Sequence, residues 1–450
     1  MRTRSFAALC SSLAFLAAAP SLAADAGAPI ATPPGITLQF LGKAQGYSMD
    51  AESASFLTRH QIAYADARGM TLYTRNADPP GKSECTGECT QTWKPALVPP
   101  GAKPVERWST VKRADGALQW ALNEKPLYTY IKDVDIGDLA GNSPKWLARG
   151  PQSGPRGSFR GPMPPELPVP DGWTAALIYP ATGIDVPSGF SIKEVPDALG
   201  LVLMNHEGRT LYTFRGNPNQ DLTACRASDT CDDWQPLLAP QIAKSAGDFG
   251  FVSRDDGLRQ WTYRGQPLYT FASDLPASSY ANGVGKDPAW QPAYILRYYL
   301  PEGVQVANSL RLGKTLATAA GKTLYIREAF IVQSGGGHGT RRGNSFRPAV
   351  GRDIGLNTLC QRECEKWHPF LAPDDALPQG YWSTIARPDG KKQWVYNGYA
   401  LWTYDGDSKP GDINGQDSFD LFLSDSVHTR LDIGTQYDGP TALYWTITPP

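Results

Sequence analysis

An all-β protein built from three tandem copies of one small unit is the fold that this sequence predicts, and three observations carry the prediction. The first is a block written three times: Cys85, Cys89, Trp93 and Pro95 with Asp115, Gly116, Gln119 and Trp120; Cys225, Cys231, Trp234 and Pro236 with Asp256, Gly257, Gln260 and Trp261; Cys360, Cys364, Trp367 and Pro369 with Asp389, Gly390, Gln393 and Trp394. The step between the two tryptophans of a block is 27 residues each time, and a spacing held across three copies marks one structural unit used repeatedly. The second is composition: 45 glycines and 39 prolines among 450 residues suit many turns and short strands and disfavour long helices. The third is that turn glycines recur at matched places between runs of Thr, Tyr and Trp, the residues a pleated, half-buried surface prefers.

The elements follow in order. Each unit opens on a Pro/Gly stretch, Pro34-Gly35, Pro187 with Gly189, and Pro301 with Gly303. A first hairpin is then expected. Its strands are Ile62–Ala65 and Thr71–Tyr73 around Arg68-Gly69, 201–204 and 210–212 around Glu207-Gly208, and 315–318 and 323–325 around Ala320-Gly321, with glycine where φ must be positive. A second hairpin is expected after each Asp-Gly turn: 119–122 with 126–130, 260–263 with 267–271 across Arg264-Gly265, and 393–396 with 400–404 across Asn397-Gly398. Aromatic-rich closing strands follow at 175–179, 293–299 and 442–447, each ahead of a proline. Because edges must be hidden, a small sandwich or barrel is expected for each unit.

The N-terminus reads as an export leader over residues 1–24. It has a short positive start at Arg2 and Arg4, an apolar run from about Phe6 to Ala19, and small residues near Ala23 and Ala24. That run is short for a membrane span, and no other stretch approaches its length, so no transmembrane segment is expected. Cys10 leaves with the leader, and no cysteine stands at the cleavage region, so no lipid anchor is expected. Six cysteines in three close pairs remain, which in an oxidising compartment read as the disulfides Cys85–Cys89, Cys225–Cys231 and Cys360–Cys364. With 43 basic and 44 acidic residues, net charge -1, the chain has no global field to attract nucleic acid. The expected organisation is leader 1–24, module 34–150, a Pro/Gly-rich linker with a closing strand at 151–186, module 187–300, and module 301–450 carrying a glycine-rich insertion at 334–351.

These blocks resemble a family known as secreted repeats of unknown function, described as predicted lipoproteins with a Tyr-x-(Phe/Trp/Tyr)-x-x-Asp motif. The motif stands here as Tyr128, Tyr130 and Asp133; as Tyr269, Phe271 and Asp274; and, with Trp for the first Tyr, as Trp402, Tyr404 and Asp407. The family's Cys-x-Gly-x-Cys…Trp pattern matches Cys85, Gly87, Cys89 and Trp93 and is looser in the other copies. The resemblance implies export and a repeated β module, and it implies no activity. A weaker version of the motif also stands in the first hairpins, as Tyr73, Arg75 and Asp78; as Tyr212, Phe214 and Asn217; and as Tyr325 and Arg327.

Several constellations could carry chemistry. The loops after the second hairpins hold Asp133, Asp135 and Asp138 in the first copy and Asp405, Asp407 and Asp412 in the third, with glycines between. Closely spaced oxygens on a turning backbone are what Ca2+ requires, and solvated Asx turns explain the same composition. The cysteine pairs, helped by Met204, His206, His338 or His368, could hold copper, although no histidine recurs at a matched position. No Gly-x-Ser-x-Gly elbow occurs, and nothing selects a nucleophile, base and orienter, so an envelope hydrolase ranks last. Trp93, Trp120, Trp234, Trp261, Trp367 and Trp394 could stack on a ligand, but their invariant spacing favours a role in the core. Arg113, Arg254 and Arg387, two residues before the Asp of each Asp-Gly, read as local ion pairs at the turn. The functional expectation is an exported binding or interaction protein of the periplasm or exterior whose partner is an envelope protein or small ligand, with a metal-binding or redox accessory protein as the alternative.

Overall fold

The computed structural model describes residues 29–40, 62–134, 136–141, 172–179, 186–214, 233–254, 256–277, 281–287, 289–331, 341–342, 360, 362–423, 429–430, 436–437 and 441–450. The leader, Cys225, Cys231, Asp135, His338, most of the linker and most of the 334–351 insertion lie outside them. The fold is all-β, with antiparallel strands gathered into several sheets. Among the described residues the helical pieces are one turn at Cys89–Thr92 and a 3-10 turn at Pro196–Ala198.

One four-strand arrangement occurs in each repeat. In the first, the order is Trp93–Pro95, Lys125–Tyr130, Leu72–Arg75, Trp173–Ala175. In the second it is Trp234–Pro236, Tyr269–Phe271, Leu211–Phe214, Trp290–Pro292. In the third it is Trp367–Pro369, Trp402–Tyr404, Tyr325–Ile331, Thr441–Ile447, with Phe419–Leu423 added at the edge. Each repeat also has a hairpin that turns through Asp-Gly: Trp108–Lys112 with Leu118–Leu122, Phe249–Ser253 with Arg259–Tyr263, and Trp382–Ala386 with Lys392–Tyr396.

The expected first hairpin is only begun. A single bridge joins its arms in each repeat, Ala65 with Thr71, Met204 with Thr210, and Ala317 with Thr323. The arms then part because the closing strand passes between them. Ala176 N–H donates to Leu72 O (2.8 Å) while its carbonyl accepts Tyr64 N–H (2.9 Å). Ala293 does the same between Leu203 and Leu211, and Thr448 between Leu316 and Leu324. The glycines at these turns do adopt positive φ: Gly69 at 85°, Gly208 at 74° and Gly321 at 82°.

The second hairpin also differs from expectation. The Asp-Gly segment is itself a hairpin turn, and its preceding strand is Trp108–Lys112 or the equivalent. The next turn puts two residues at positive φ, Asn123-Glu124, Arg264-Gly265 and Asn397-Gly398, the signature of a two-residue reverse turn. Pairing beyond it lasts two residues, as in Leu122 with Lys125 and Ala121 with Pro126. The strand then turns a corner at Leu127, Leu268 or Leu401 into the four-strand sheet, where the edge tryptophan strand takes the corner carbonyl: Ala96 N–H donates to Leu127 O, Leu237 to Leu268 and Phe370 to Leu401, each at 2.9 Å.

The core is shared between the repeats. One buried cluster contains Trp120, Trp261 and Trp394, the corner leucines Leu127, Leu268 and Leu401, and Leu72, Leu211 and Leu324. Three satellite clusters, built on Tyr73/Trp93, Tyr212/Trp234 and Tyr325/Trp367, lie beside it. Each repeat thus lays its strands over several small sheets that contribute to one interior, where a sandwich or barrel per unit was expected. Contacts between repeats follow: Tyr298 and Tyr381 both donate to Glu194 Oε1, at 3.2 and 3.4 Å, and their rings meet edge to face at 5.2 Å.

Candidate functional site

The aspartate that ends each recurrent Tyr/Trp-x-(Phe/Tyr)-x-x-Asp block, Asp133, Asp274 or Asp407, closes a buried triad in every repeat. Tyr73 Oη donates to Asp133 Oδ2 at 2.7 Å, Asp133 Oδ1 accepts Ala140 N–H at 2.9 Å, and Gly141 N–H reaches Tyr73 Oη at 3.3 Å. The second repeat has Tyr212 to Asp274 at 2.7 Å, Asn282 N–H to Asp274 at 2.7 Å, and Gly283 N–H to Tyr212 at 3.2 Å. The third has Tyr325 to Asp407 at 2.8 Å, Asn414 N–H to Asp407 at 2.8 Å, and Gly415 N–H to Tyr325 at 3.3 Å. Burial pushes the Asp133 carboxyl up to about 6 against the pull of its two donors, and it raises Asp274 and Asp407 likewise. Burial, aided by the facing carboxylate, holds the three tyrosine hydroxyls far above their ordinary range, so they remain donors.

Why glycine follows the Asp loop is a matter of contact. A Cβ on Gly141 would stand 2.7 Å from Trp93 Cη2 and 2.9 Å from Tyr73 Cζ; on Gly283, 2.7 Å from Trp234 Cη2; on Gly415, 2.5 Å from Trp367 Cη2. The tryptophan filling that space is sandwiched on its other side. Trp93 stacks on Trp173 at 3.7 Å between ring centres, Trp234 on Trp290 at 4.2 Å, and Trp367 on Trp445 at 3.9 Å. All six are buried. The sequence reading missed Trp173, Trp290 and Trp445; the available signal was a further tryptophan in or just before each closing strand.

The Arg and Gln of each block form a brace. Asp115 Oδ1 caps the turn by accepting Ala117 N–H (3.0 Å), and its Oδ2 faces Arg113 Nε at 3.4 Å. Arg113 donates to Gln119 Oε1 (2.7 Å), and Gln119 Nε2 donates to Leu127 O (2.7 Å), fixing the corner. Arg254, Gln260 and Leu268 repeat this at 3.0 and 2.9 Å, and Arg387, Gln393 and Leu401 at 2.7 and 2.7 Å. Backbone N–H groups at the turn are the main cause holding Asp115, Asp256 and Asp389 below the usual carboxylate range. In the first repeat Arg113 also donates to Ser83 Oγ (2.7 Å) and to Cys85 O (3.0 Å), tying the brace to the Cys85–Cys89 disulfide. Cys360–Cys364 is also bonded.

In the first repeat Tyr128, the first residue of the motif, is also buried in a polar contact. It donates to the buried Asp78 at 2.5 Å and lies 2.8 Å from Ser83 Oγ, and burial first, then Asp78, pushes its hydroxyl up to about 12. Trp402 replaces it in the third repeat, where the buried pair Arg327–Asp420 (2.7 Å) sits beside Trp445 instead.

The acidic residues read as calcium donors serve their own loops. Asp138 Oδ2 accepts Val134 N–H (3.0 Å); Asp412 Oδ2 accepts the N–H groups of Ser408 and Lys409 (both 2.9 Å). Asp405 faces His368 Nε2 at 2.8 Å and Lys322 Nζ at 3.4 Å on the surface. Asp133 and Asp407 point into their triads. Among the described residues no group of three or more His, Cys, Asp or Glu is placed to hold a metal ion. Met204 is buried and accepts Thr210 Oγ1 at 3.6 Å, whereas His206 is exposed.

The fold and these sites define a disulfide-stapled all-β repeat protein whose signature residues are joined to one another. Three segments, 109–148, 250–293 and 383–420, match a family model described as a secreted repeat of unknown function, so the chain carries three copies of that repeat. No curated protein and no solved structure matches the chain. No helix among the described residues is long and apolar enough to cross a membrane.

Proposed function

We propose that this is an exported, non-enzymatic binding protein of the cell envelope, in which three copies of one unit present the same surface to an envelope protein or small ligand. One observation carries the reading. The recurrent polar side chains are spent on internal bonds, while a recurrent apolar one faces outward. The position four residues after the edge tryptophan is leucine in each repeat, and Leu97, Leu238 and Leu371 are 55, 47 and 40 % exposed. Each lies on a bridge to the brace glutamine, Gln119, Gln260 or Gln393, so the same scaffold aims each one. In repeats one and two a second leucine, Leu118 or Leu258, is exposed on the adjoining strand or turn. Three weak contacts on one body add through effective concentration.

The test is the triple variant Leu97→Asp, Leu238→Asp and Leu371→Asp. Its circular dichroism and melting curve should match the parent, since surface changes of this kind stay near ±0.5 kcal/mol. Captured side by side from a native envelope extract, the parent should retain a partner that the triple variant loses, and each single variant should lose only part of it. Identical retention by parent and triple variant would sink the reading.

A further inference from the structure

The segment Pro29–Phe40 lies ahead of the Cys–Trp block and supplies the opening strand of the first repeat, as Ser191–Val195 and Val304–Ser309 do in the others, yet it also reaches the second and third repeats. Towards the second, Ala31 N–H donates to Arg297 O and Arg297 N–H to Pro29 O, both at 2.9 Å. Towards the third, Gly35 N–H donates to Pro378 O (2.7 Å), Leu38 N–H to Gly380 O (2.9 Å) and Gly380 N–H to Ile36 O (3.0 Å), while Gln379 Nε2 donates to Thr32 O (2.8 Å). Towards the first, Trp108 Nε1 donates to Ala31 O (2.9 Å), and Thr37–Phe40 pairs with Ile62–Ala65. Ala31, Ile36 and Leu38 are buried in the shared core, and Thr32 and Thr37 are buried with them.

We propose that residues 29–40 form a clasp seated in a groove between the repeats, and that the clasp is what makes the three repeats one cooperative body. The main-chain bonds it makes at 297 and at 378–380 are those of an added strand, which needs extended backbone more than covalent continuity. Its partners stand as far as 347 residues away, so the clasp seats only after the third repeat has formed. The groove therefore accepts this segment whether or not a peptide bond links it to Ile62.

A protease site placed within residues 41–61 tests this on the whole chain, folded before cleavage. The cut clasp should co-elute with the body on size exclusion. After denaturation, separation and refolding, the stripped body should melt about 5 °C lower or more. A synthetic peptide of residues 29–40 should restore the melting temperature saturably at one-to-one stoichiometry, while a scrambled peptide should not. Should the stripped body fail to refold, refolding it with the peptide decides: recovery of the intact melting curve supports the clasp, and no recovery overturns it. A cut segment that leaves the folded body, or a stripped body that melts like the intact chain, also overturns it.

Discussion

Replacing Tyr73 with Phe removes one oxygen and nothing else, so its cost can be worked from the triad. The lost bond runs from a buried hydroxyl to a buried carboxylate at 2.7 Å. A hydrogen bond to a charged group contributes about 1.5–3 kcal/mol. Gly141 N–H loses its acceptor as well, and Asp133 keeps only Ala140 N–H as donor. Leaving a buried group unsatisfied costs a further ~1 kcal/mol or more. A loss of about 3 kcal/mol is expected for Tyr73→Phe, and similar losses for Tyr212→Phe and Tyr325→Phe, whose geometry is the same. Urea unfolding at pH 7, with the slope checked for constancy, measures each. A double-mutant cycle of Tyr73→Phe with Asp133→Asn should show a coupling above ~1 kcal/mol, because the two groups share one bond. Losses below ~0.5 kcal/mol in all three repeats, or additive single effects in the cycle, would refute the view that the recurrent aspartate stands where it does to close this triad.

Two further outcomes follow from the same sites. Gly415→Ala sets a Cβ 2.5 Å from Trp367 Cη2, so the stack on Trp445 must shift; a loss of ~1–3 kcal/mol and a changed near-ultraviolet circular dichroism signal are expected, whereas Gly390→Ala, with nothing within 4 Å of its Cβ, should leave that signal intact. For pH, the folded-state value of Asp133 stands at about 6, above its ordinary range near 3.8, so the folded chain holds that proton more tightly between those values. The contribution of this group is therefore present at low pH and lost as pH rises through about 6. From pH 7 to pH 5 the parent should gain stability relative to Asp133→Asn, and a constant difference between the two melting curves would contradict it.

Much of the secondary structure was legible because local chemistry decides it. Gly69, Gly208 and Gly321 turn the chain wherever they stand, and the Asn397-Gly398 dipeptide needs no distant partner to favour a reverse turn. Strands form in most of the expected segments, while the expected pairings are made only next to the turns. Arms joined by a tight turn were expected to pair along their length, but Ala176, Ala293 and Thr448 take the hydrogen bonds that a hairpin would have used. The motif was visible as Tyr-x-(Phe/Trp/Tyr)-x-x-Asp. Its partner, the tyrosine 60 residues earlier in the first repeat, reads in sequence only as part of a weaker version of the same motif. In the acidic loops composition alone cannot tell a carboxylate aimed at a metal from one aimed at its own backbone, and only the fold shows Asp138 and Asp412 accepting N–H groups of their own loops.

The repeat number, the strand-forming segments, the turns and the pairing of near-neighbour cysteines Cys85–Cys89 and Cys360–Cys364 were set by residues close together in the chain, and the sequence by itself determined them. What joins the repeats was decided only in three dimensions. The merged core, the Glu194 contact with Tyr298 and Tyr381, and the clasp at 29–40 link residues up to hundreds of positions apart; the core draws on matched positions of the repeats, whereas the Glu194 contact and the clasp's bonds to Arg297 and to 378–380 are each made once. A contact made once, between segments with no common pattern, leaves no periodic trace, because its energy comes from burial and backbone pairing that almost any apolar, extended stretch could supply.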